Sequence, residues 1–149
     1  MMTTARLLTA LSLFFAIACS HHRPGNTQQA SLFPLADTTG HDFDAQQASR
    51  FVKQNPQTIV LDVRTPEEYA TGHIGKAANI NLYDAKFVAK LAALDRSKTY
   101  VVHCAAGLPN GRSRKAMALL DSLGFTRIHH LNGGFNGWKQ AELPVVTTH

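Results

Sequence analysis

Continuous apolar runs alternate with amphipathic segments over residues 31–147, and this alternation predicts the order of the structural elements. Three runs have the composition of strands that are buried on both faces of a parallel sheet. They are Thr58–Val63, Lys98–Cys104 and Arg127–Leu131. Because the segments between them are long enough to hold crossover helices, the pattern favours right-handed βαβ units.

The amphipathic segments predict helices from their capping residues and from the spacing of their apolar positions. Asp44 is predicted to cap a helix that ends near Asn55, and Thr65 begins a capping box followed by proline. Asp84 is predicted to open a third helix. The apolar positions of this third helix are Phe87, Val88, Leu91 and Leu94. Those of the fourth helix are Ala116, Leu119, Leu120 and Leu123, and Gly124 ends it. The turn Asn132-Gly133-Gly134 leads into a short fifth helix near Trp138. We therefore expect a single α/β domain in which helices flank both faces of a parallel sheet.

The amino terminus precedes this domain and has a different pattern. Residues 7–18 are uncharged and mostly apolar, which is too short for a membrane span of about 20 residues. A single Arg6 before them and small residues at their end are typical of a secretory signal, here residues 1–18. Cys19 follows directly, as in the bacterial lipoprotein signal, so the sequence predicts a lipid on Cys19, a flexible tether over residues 19–30 and the folded domain over 31–147. An ordinary cleaved signal with an incidental Cys19 is the alternative.

This organisation predicts a location in the periplasm. The lipid would anchor the protein to a membrane, and Ser20 after the cysteine slightly favours the outer membrane. Without the lipid, the protein would be soluble in the periplasm.

Composition narrows the function classes further. The chain has 149 residues, a net charge of +5 and two cysteines. Two cysteines cannot form a disulfide scaffold, and the absence of a CxxC pair removes the usual zinc and thioredoxin-type sites. Lysine and arginine are spread without a block of five or six, so the sequence predicts no nucleic-acid partner. It also predicts no metal and no other cofactor.

Cys104 ends a predicted strand, and a loop and an amphipathic helix that begins near Arg112 follow it. Ligands of open α/β folds bind at the carboxyl ends of strands. Inward backbone amides and a helix amino terminus would attract an anion and lower the pKa of a thiol. Cys104 is therefore predicted to be a nucleophile; the alternative is a small buried apolar side chain. The predicted anion-binding residues are Ala105, Ala106, Gly107, Gly111, Arg112 and Ser113, with Arg114 a weaker candidate for positive charge beside the sulfur.

Three segments resemble a rhodanese domain. They read LDVRTPEEYATGHIGKAANI over 61–80, HCAAGLPNGRSRKAMALLDSLGF over 103–125 and LNGGFNGWKQAELPV over 131–145. The small periplasmic rhodaneses of the phage-shock type are similar to this chain in domain size and in expected cellular location. The resemblance implies a rhodanese-like fold and a thiosulfate sulfurtransferase, which we expect to be a monomer. Cys104 would take the outer sulfur of thiosulfate or a similar donor as a persulfide and pass it to cyanide or to a thiol.

The resemblance also implies supporting roles for other matched residues. Asp62 and Arg64, in the DVR segment, would organise the rim of the site through salt bridges, and His73 would hold loop backbone. Direct catalytic roles for Asp62 or Arg64, and acid–base chemistry by His73, stay open as alternatives. His103 precedes the nucleophile in its strand and so points to the opposite side, which predicts a structural role. The pair His129–His130 lies in a strand and lacks partners for a metal site.

The cysteine loop departs from the family pattern in its length. Rhodaneses usually place an arginine five residues after the cysteine, whereas Arg112 comes eight residues after Cys104, with the extra residues at Leu108–Asn110. Cysteine-dependent phosphatases use a related loop with arginine six residues after the cysteine. A longer loop could widen the pocket or spoil the inward amides. Three functions therefore stay open: a sulfurtransferase, a phosphatase or other oxyanion enzyme on the same fold, and a non-catalytic rhodanese-like binding module.

Overall fold

The computed structural model describes residues 42–148. The predicted signal, Cys19, the tether and residues 31–41 lie outside the described residues. The strands are β1 Asp42–Phe43, β2 Ile59–Asp62, β3 His73–Ile74, β4 Ala78–Asn79, β5 Tyr100–His103, β6 Ile128–Leu131 and β7 Val145–Val146. The helices are α1 Ala45–Gln54, α2 Pro66–Ala70, α3 Phe87–Ala92, α4 Arg112–Ser122 and α5 Gly134–Gln140. None of these helices is long and apolar enough to cross a membrane.

Five strands form one parallel sheet in the order β1-β6-β5-β2-β4. The three predicted strands are its centre, with β5 between β2 and β6, and they end in register where Asp62 pairs with His103. The short β3 and β7 pair antiparallel in a separate ribbon. These two-residue strands were not predicted, because two residues carry no readable alternation.

The core has two parts, one on each face of the sheet. Alternate strand residues face opposite sides, so Leu61 and Val102 contact the cluster built by α3 and α4, whereas Val60 and Val101 contact the cluster built by α1 and α5. All four side chains are buried. The prediction of an α/β domain with helices on both faces of a parallel sheet is confirmed.

Helix starts follow the predicted caps in two cases and differ in a third. Asp44 and Thr65 form capping boxes at α1 and α2, each with reciprocal side-chain and backbone bonds. The expectation that Asp84 opens α3 is wrong, because that helix begins at Phe87. Asp84 instead closes a turn ahead of the helix: its carboxylate accepts from the Lys86 amide at 2.8 Å and its carbonyl accepts from the Phe87 amide at 2.9 Å.

Candidate active site

Cys104 lies directly after β5, at the carboxyl end of the central strand. Its surface is only 4% exposed. The loop over residues 105–111, here called the cradle loop, leads from the cysteine to the first residue of α4. This is the edge at which open parallel sheets bind ligands, because their strands end there together and their helices begin.

The amino-terminal end of α5 holds the cradle loop in place. The Phe135 amide donates to the Cys104 carbonyl at 2.8 Å, and the Asn136 amide donates to the Ala105 carbonyl at 2.8 Å. Gly107 and Gly134 lie where the two backbones meet, with φ of 57° and 56°. A Cβ on Gly107 would lie 2.6 Å from the Gly134 nitrogen. With its carbonyls turned toward α5, the loop is free to turn amides toward the sulfur.

Hydrogen bonds to the Cys104 sulfur favour its thiolate. Burial raises the pKa of the thiol, but bonds from the Ser113 hydroxyl and amide and from the Gly107 and Ala106 amides outweigh burial, so the pKa lies below its ordinary value. The Ser113 Oγ is 3.3 Å from Sγ, and both side chains are buried. The sulfur therefore sits among donors that stabilise negative charge, as a nucleophilic cysteine requires.

This lowered pKa predicts the pH profile of alkylation at Cys104. Only the thiolate reacts, so the alkylation rate of the folded chain should be half-maximal below the pH of about 8.5 typical of an unperturbed cysteine. The measurement is iodoacetamide labelling between pH 5 and pH 10, with the label located by mass spectrometry on the peptide that contains Cys104. The same chain unfolded in urea is the control and should return to the ordinary midpoint. Equal midpoints in the two states would contradict the account of the loop.

The extra loop residues form a turn at the rim. The Gly111 amide donates to the Leu108 carbonyl at 2.9 Å, and Leu108, Pro109 and Asn110 are exposed. The amides that contact the sulfur belong to residues on either side of this turn. The longer loop thus projects outward, and the inward amides of Ala106, Gly107 and Ser113 are kept.

Arg112 forms an ion pair instead of standing free beside the sulfur. Its two terminal nitrogens lie 2.5 and 2.8 Å from the carboxylate oxygens of Glu68, which is on α2. These bonds to Arg112 lower the pKa of Glu68 to about 2. The same bonds raise the pKa of Arg112, and the negative charge of the Cys104 thiolate raises it further. Arg112 therefore stays close enough to affect the sulfur, but Glu68 offsets much of its charge. Arg114 pairs instead with Asp42 on β1.

Asp62 and Arg64 form a buried ion pair beneath the rim. The Arg64 NH2 group lies 2.6 Å from the Asp62 carboxylate and donates to the Gly72 carbonyl at 2.7 Å. Its NH1 group donates to the Glu68 carbonyl, and its guanidinium stacks 4.0 Å from the centre of the Phe135 ring. Arg64 thereby ties the end of β2 to α2 and α5. Through Glu68, the same network reaches Arg112.

The rings of His73 and His103 both lie against backbone carbonyls. His73 stacks on Tyr69 at 3.8 Å and its Nδ1 lies 3.1 Å from the Tyr69 carbonyl. His103 is fully buried under the nucleophile, with Nδ1 3.2 Å from the Cys104 carbonyl and Nε2 3.7 Å from the Asp62 carboxylate. Burial lowers the pKa of His103, so its ring is neutral at neutral pH. Neither ring contacts the sulfur in any hydrogen bond that the structure describes.

The sequence of this chain matches a known protein family. The family model of the rhodanese-like domain covers residues 44–141. The chain belongs to the rhodanese-like domain family. A sulfurtransferase of Allochromatium vinosum is 26% identical over 106 residues, which are 71% of this chain and 94% of that protein. A thiosulfate sulfurtransferase of Escherichia coli is 33% identical over 73 residues, which are 49% of this chain and 67% of that protein.

Solved structures agree with this assignment. A rhodanese-related protein from Thermoplasma volcanium superimposes with a TM-score of 0.62 at 33% identity, covering 72% of this chain and 98% of that chain. In two further relatives the match covers only part of the relative, 51% and 60% of its length. The rhodanese-like fold expected from the sequence is thus confirmed.

The sequence does not assign one residue of this rhodanese-like site, His130. Its Nε2 lies 2.9 Å from the Ser113 hydroxyl that contacts Cys104. The available signal was position, because His130 stands one residue before the end of β6, the strand next to β5. Within residues 42–148, no three His, Cys, Asp or Glu side chains are grouped to hold a metal ion.

Proposed function

We propose that the chain is a sulfurtransferase that carries sulfur as a persulfide on Cys104. The observation that carries the proposal is the buried thiol whose pKa is lowered by hydrogen bonds from Ser113, Gly107 and Ala106. The thiolate is the form that attacks sulfur, and a lowered pKa increases its fraction at neutral pH. The family membership and the sulfurtransferases among its relatives support the same reaction.

The first half-reaction follows from this arrangement. The Cys104 thiolate attacks the outer sulfur of thiosulfate, a Cys–S–S bond forms, and the bond to the inner sulfur breaks. The electron pair leaves with sulfite, so the enzyme keeps a persulfide anion. The inward amides and the partly offset charge of Arg112 favour an incoming dianion and its departing sulfite.

The second half-reaction needs an acceptor from outside the domain. Cys104 is the sole cysteine of residues 31–147, so no second thiol of the domain can attack the persulfide, form an internal disulfide and release the outer sulfur as sulfide. A thiolate or cyanide attacks the terminal sulfur, becomes a persulfide or thiocyanate, and leaves Cys104 as the thiolate. The amides that bond to the thiolate are suited to hold the terminal sulfur of the persulfide until the acceptor binds.

The direct test is turnover of thiosulfate with cyanide. The purified chain should form thiocyanate at a rate that saturates with thiosulfate, and it should release no phosphate from an aryl phosphate. Phosphate release without thiocyanate would favour an oxyanion hydrolase. Absence of both reactions, also with other sulfane donors, would leave a binding module and overturn the proposal.

We also propose that residues 1–18 direct export and that a lipid on Cys19 anchors the domain in the periplasm, at the outer membrane. The support is the apolar run, which ends in small residues and is followed directly by Cys19. Mass spectrometry of the protein purified from membranes of a bacterial host should find acylated Cys19 at its amino terminus, and Cys19→Ser should move the protein to the soluble fraction. An unmodified Cys19 in a soluble mature protein would indicate an ordinary cleaved signal.

A further inference from the structure

A line of buried polar contacts leads away from the sulfur through Ser113 to His130. Sγ of Cys104 is 3.3 Å from Oγ of Ser113, which is 2.9 Å from Nε2 of His130. Ser113 is fully buried and His130 is 1% exposed. The ring is held by β6 and the hydroxyl by the first turn of α4, so neither depends on a mobile side chain on the surface.

The hydrogen positions along this line follow from the charge on the sulfur. Ser113 has one hydroxyl hydrogen and contacts two groups, Sγ of Cys104 and Nε2 of His130. When the sulfur is a thiolate the hydrogen points at it, because a charged acceptor binds more strongly than a neutral ring nitrogen. The 2.9 Å contact then requires a hydrogen on Nε2. Since such coupling is reciprocal, a ring with its hydrogen on Nε2 favours the thiolate.

The groups that face His130 leave its ring with one hydrogen at neutral pH. Burial lowers the pKa of His130 and the positive charge of Arg114 on α4 lowers it further, whereas Asp42 on β1 opposes them. His103 on β5 is the other titratable group nearby, and its own ring is neutral at neutral pH. Nδ1 lies 3.5 Å from Oδ1 of Asp42, beyond a good hydrogen bond, and the other oxygen of Asp42 pairs with Arg114 at 2.5 Å. The Ser113 hydroxyl, 2.9 Å from Nε2, is therefore a closer partner of the ring than Asp42.

We propose that His130 is a positioning residue for the nucleophile: its Nε2–H donates to Ser113 Oγ and thereby fixes the serine hydroxyl as a donor to the Cys104 thiolate. The proposal rests on the proposed function, because a persulfide carrier needs that thiolate. No proton is transferred in this step. The line of hydrogen bonds decides whether the hydroxyl hydrogen of Ser113 points at the sulfur or away from it. His130 acts through Ser113 and does not touch the donor or the acceptor.

Variants at His130 separate this role from simple packing. His130→Leu keeps much of the volume without a donor, and His130→Gln places an amide NH near the position of Nε2. The Leu variant should raise the pH of half-maximal alkylation of Cys104 by about one unit, which is a tenfold change in thiolate fraction, and the Gln variant should stay near wild type. His129→Leu, on the opposite face of the same strand, is the matched control and should leave the midpoint unchanged.

Nitrogen NMR of the unsubstituted chain tests the same proposal without a mutation. With the side chains labelled with ¹⁵N, the His130 ring should show a protonated Nε2 and an unprotonated Nδ1 at pH values where Cys104 is a thiolate. The resonances are assigned by their loss in His130→Gln. This measurement decides the matter where His130→Leu does not fold.

Two results would overturn the proposal. One is an unchanged alkylation midpoint in a folded His130→Leu protein, and the other is a hydrogen on Nδ1 alone while Cys104 is a thiolate. Neither result contradicts the proposed function if Cys104 of the unsubstituted chain is alkylated with a midpoint below that of an ordinary cysteine and the chain turns over thiosulfate. An ordinary cysteine midpoint in the unsubstituted chain would count against the function itself.

Discussion

Replacing Cys104 with serine is expected to reduce thiocyanate formation from thiosulfate and cyanide by about 10³-fold or more. A hydroxyl cannot carry the persulfide, and its pKa is too high for it to attack sulfur as an anion near neutral pH. Serine is close in size to cysteine, so the buried site should still fold. Steady-state rates of the two proteins, compared at equal concentration and with matched thermal unfolding, provide the measurement.

Cys19→Ser is the matched control for this substitution. It removes the other cysteine of the chain but leaves the domain intact, and its rate should equal that of the unsubstituted chain. Substantial turnover by Cys104→Ser would show that sulfur transfer proceeds elsewhere, and the mechanism proposed above would then be wrong.

Gly134→Ala is expected to destabilise the domain by about 3 kcal/mol and to abolish sulfur transfer in the protein that still folds. Gly134 has a φ of 56°, and an added Cβ would collide with the Cys104 carbonyl and lie 2.8 Å from both the Ala105 carbonyl oxygen and the Gly107 nitrogen. These neighbours are backbone atoms of the loop that holds the sulfur, so α5 must move away from the loop. Urea unfolding measures the stability, and thiocyanate formation measures the activity.

Gly137→Ala in the same helix is the comparison for that prediction. An added Cβ there would lie 3.6 Å from the Asn132 carbonyl, which is an ordinary contact. Alanine favours helix over glycine by about 1 kcal/mol, so Gly137→Ala should keep or raise stability and retain activity. If Gly134→Ala unfolded at the same urea concentration as Gly137→Ala, the proposed clamp between α5 and the cradle loop would be refuted.

The sequence predicts the frame of the fold because its signals there are local. Runs such as Thr58–Val63 are apolar throughout, and the capping boxes at Asp44 and Thr65 act within a single turn. Short strands such as β4, with two residues, depend on a neighbour for their hydrogen bonds and carry no pattern of their own. Asp84 illustrates the limit of a local signal, since the same carboxylate chemistry closes a turn before α3.

The site is predictable in part for the same reason. Cys104 and its loop are marked by position after a strand and before a helix, which the sequence displays. The partners of the loop come from distant segments: α5 supplies amides to its carbonyls, and Glu68 takes up the charge of Arg112. These contacts, like that of His130 with Ser113, depend on the register of neighbouring elements. No spacing along the chain discloses them.

The mass of the chain after mixing with thiosulfate tests the central claim most directly. The account predicts a gain equal to one sulfur atom, located on the peptide that contains Cys104, removed by cyanide and absent from Cys104→Ser. A folded protein that reacts with iodoacetamide at Cys104 yet gains no sulfur from thiosulfate or any other persulfide donor would contradict it.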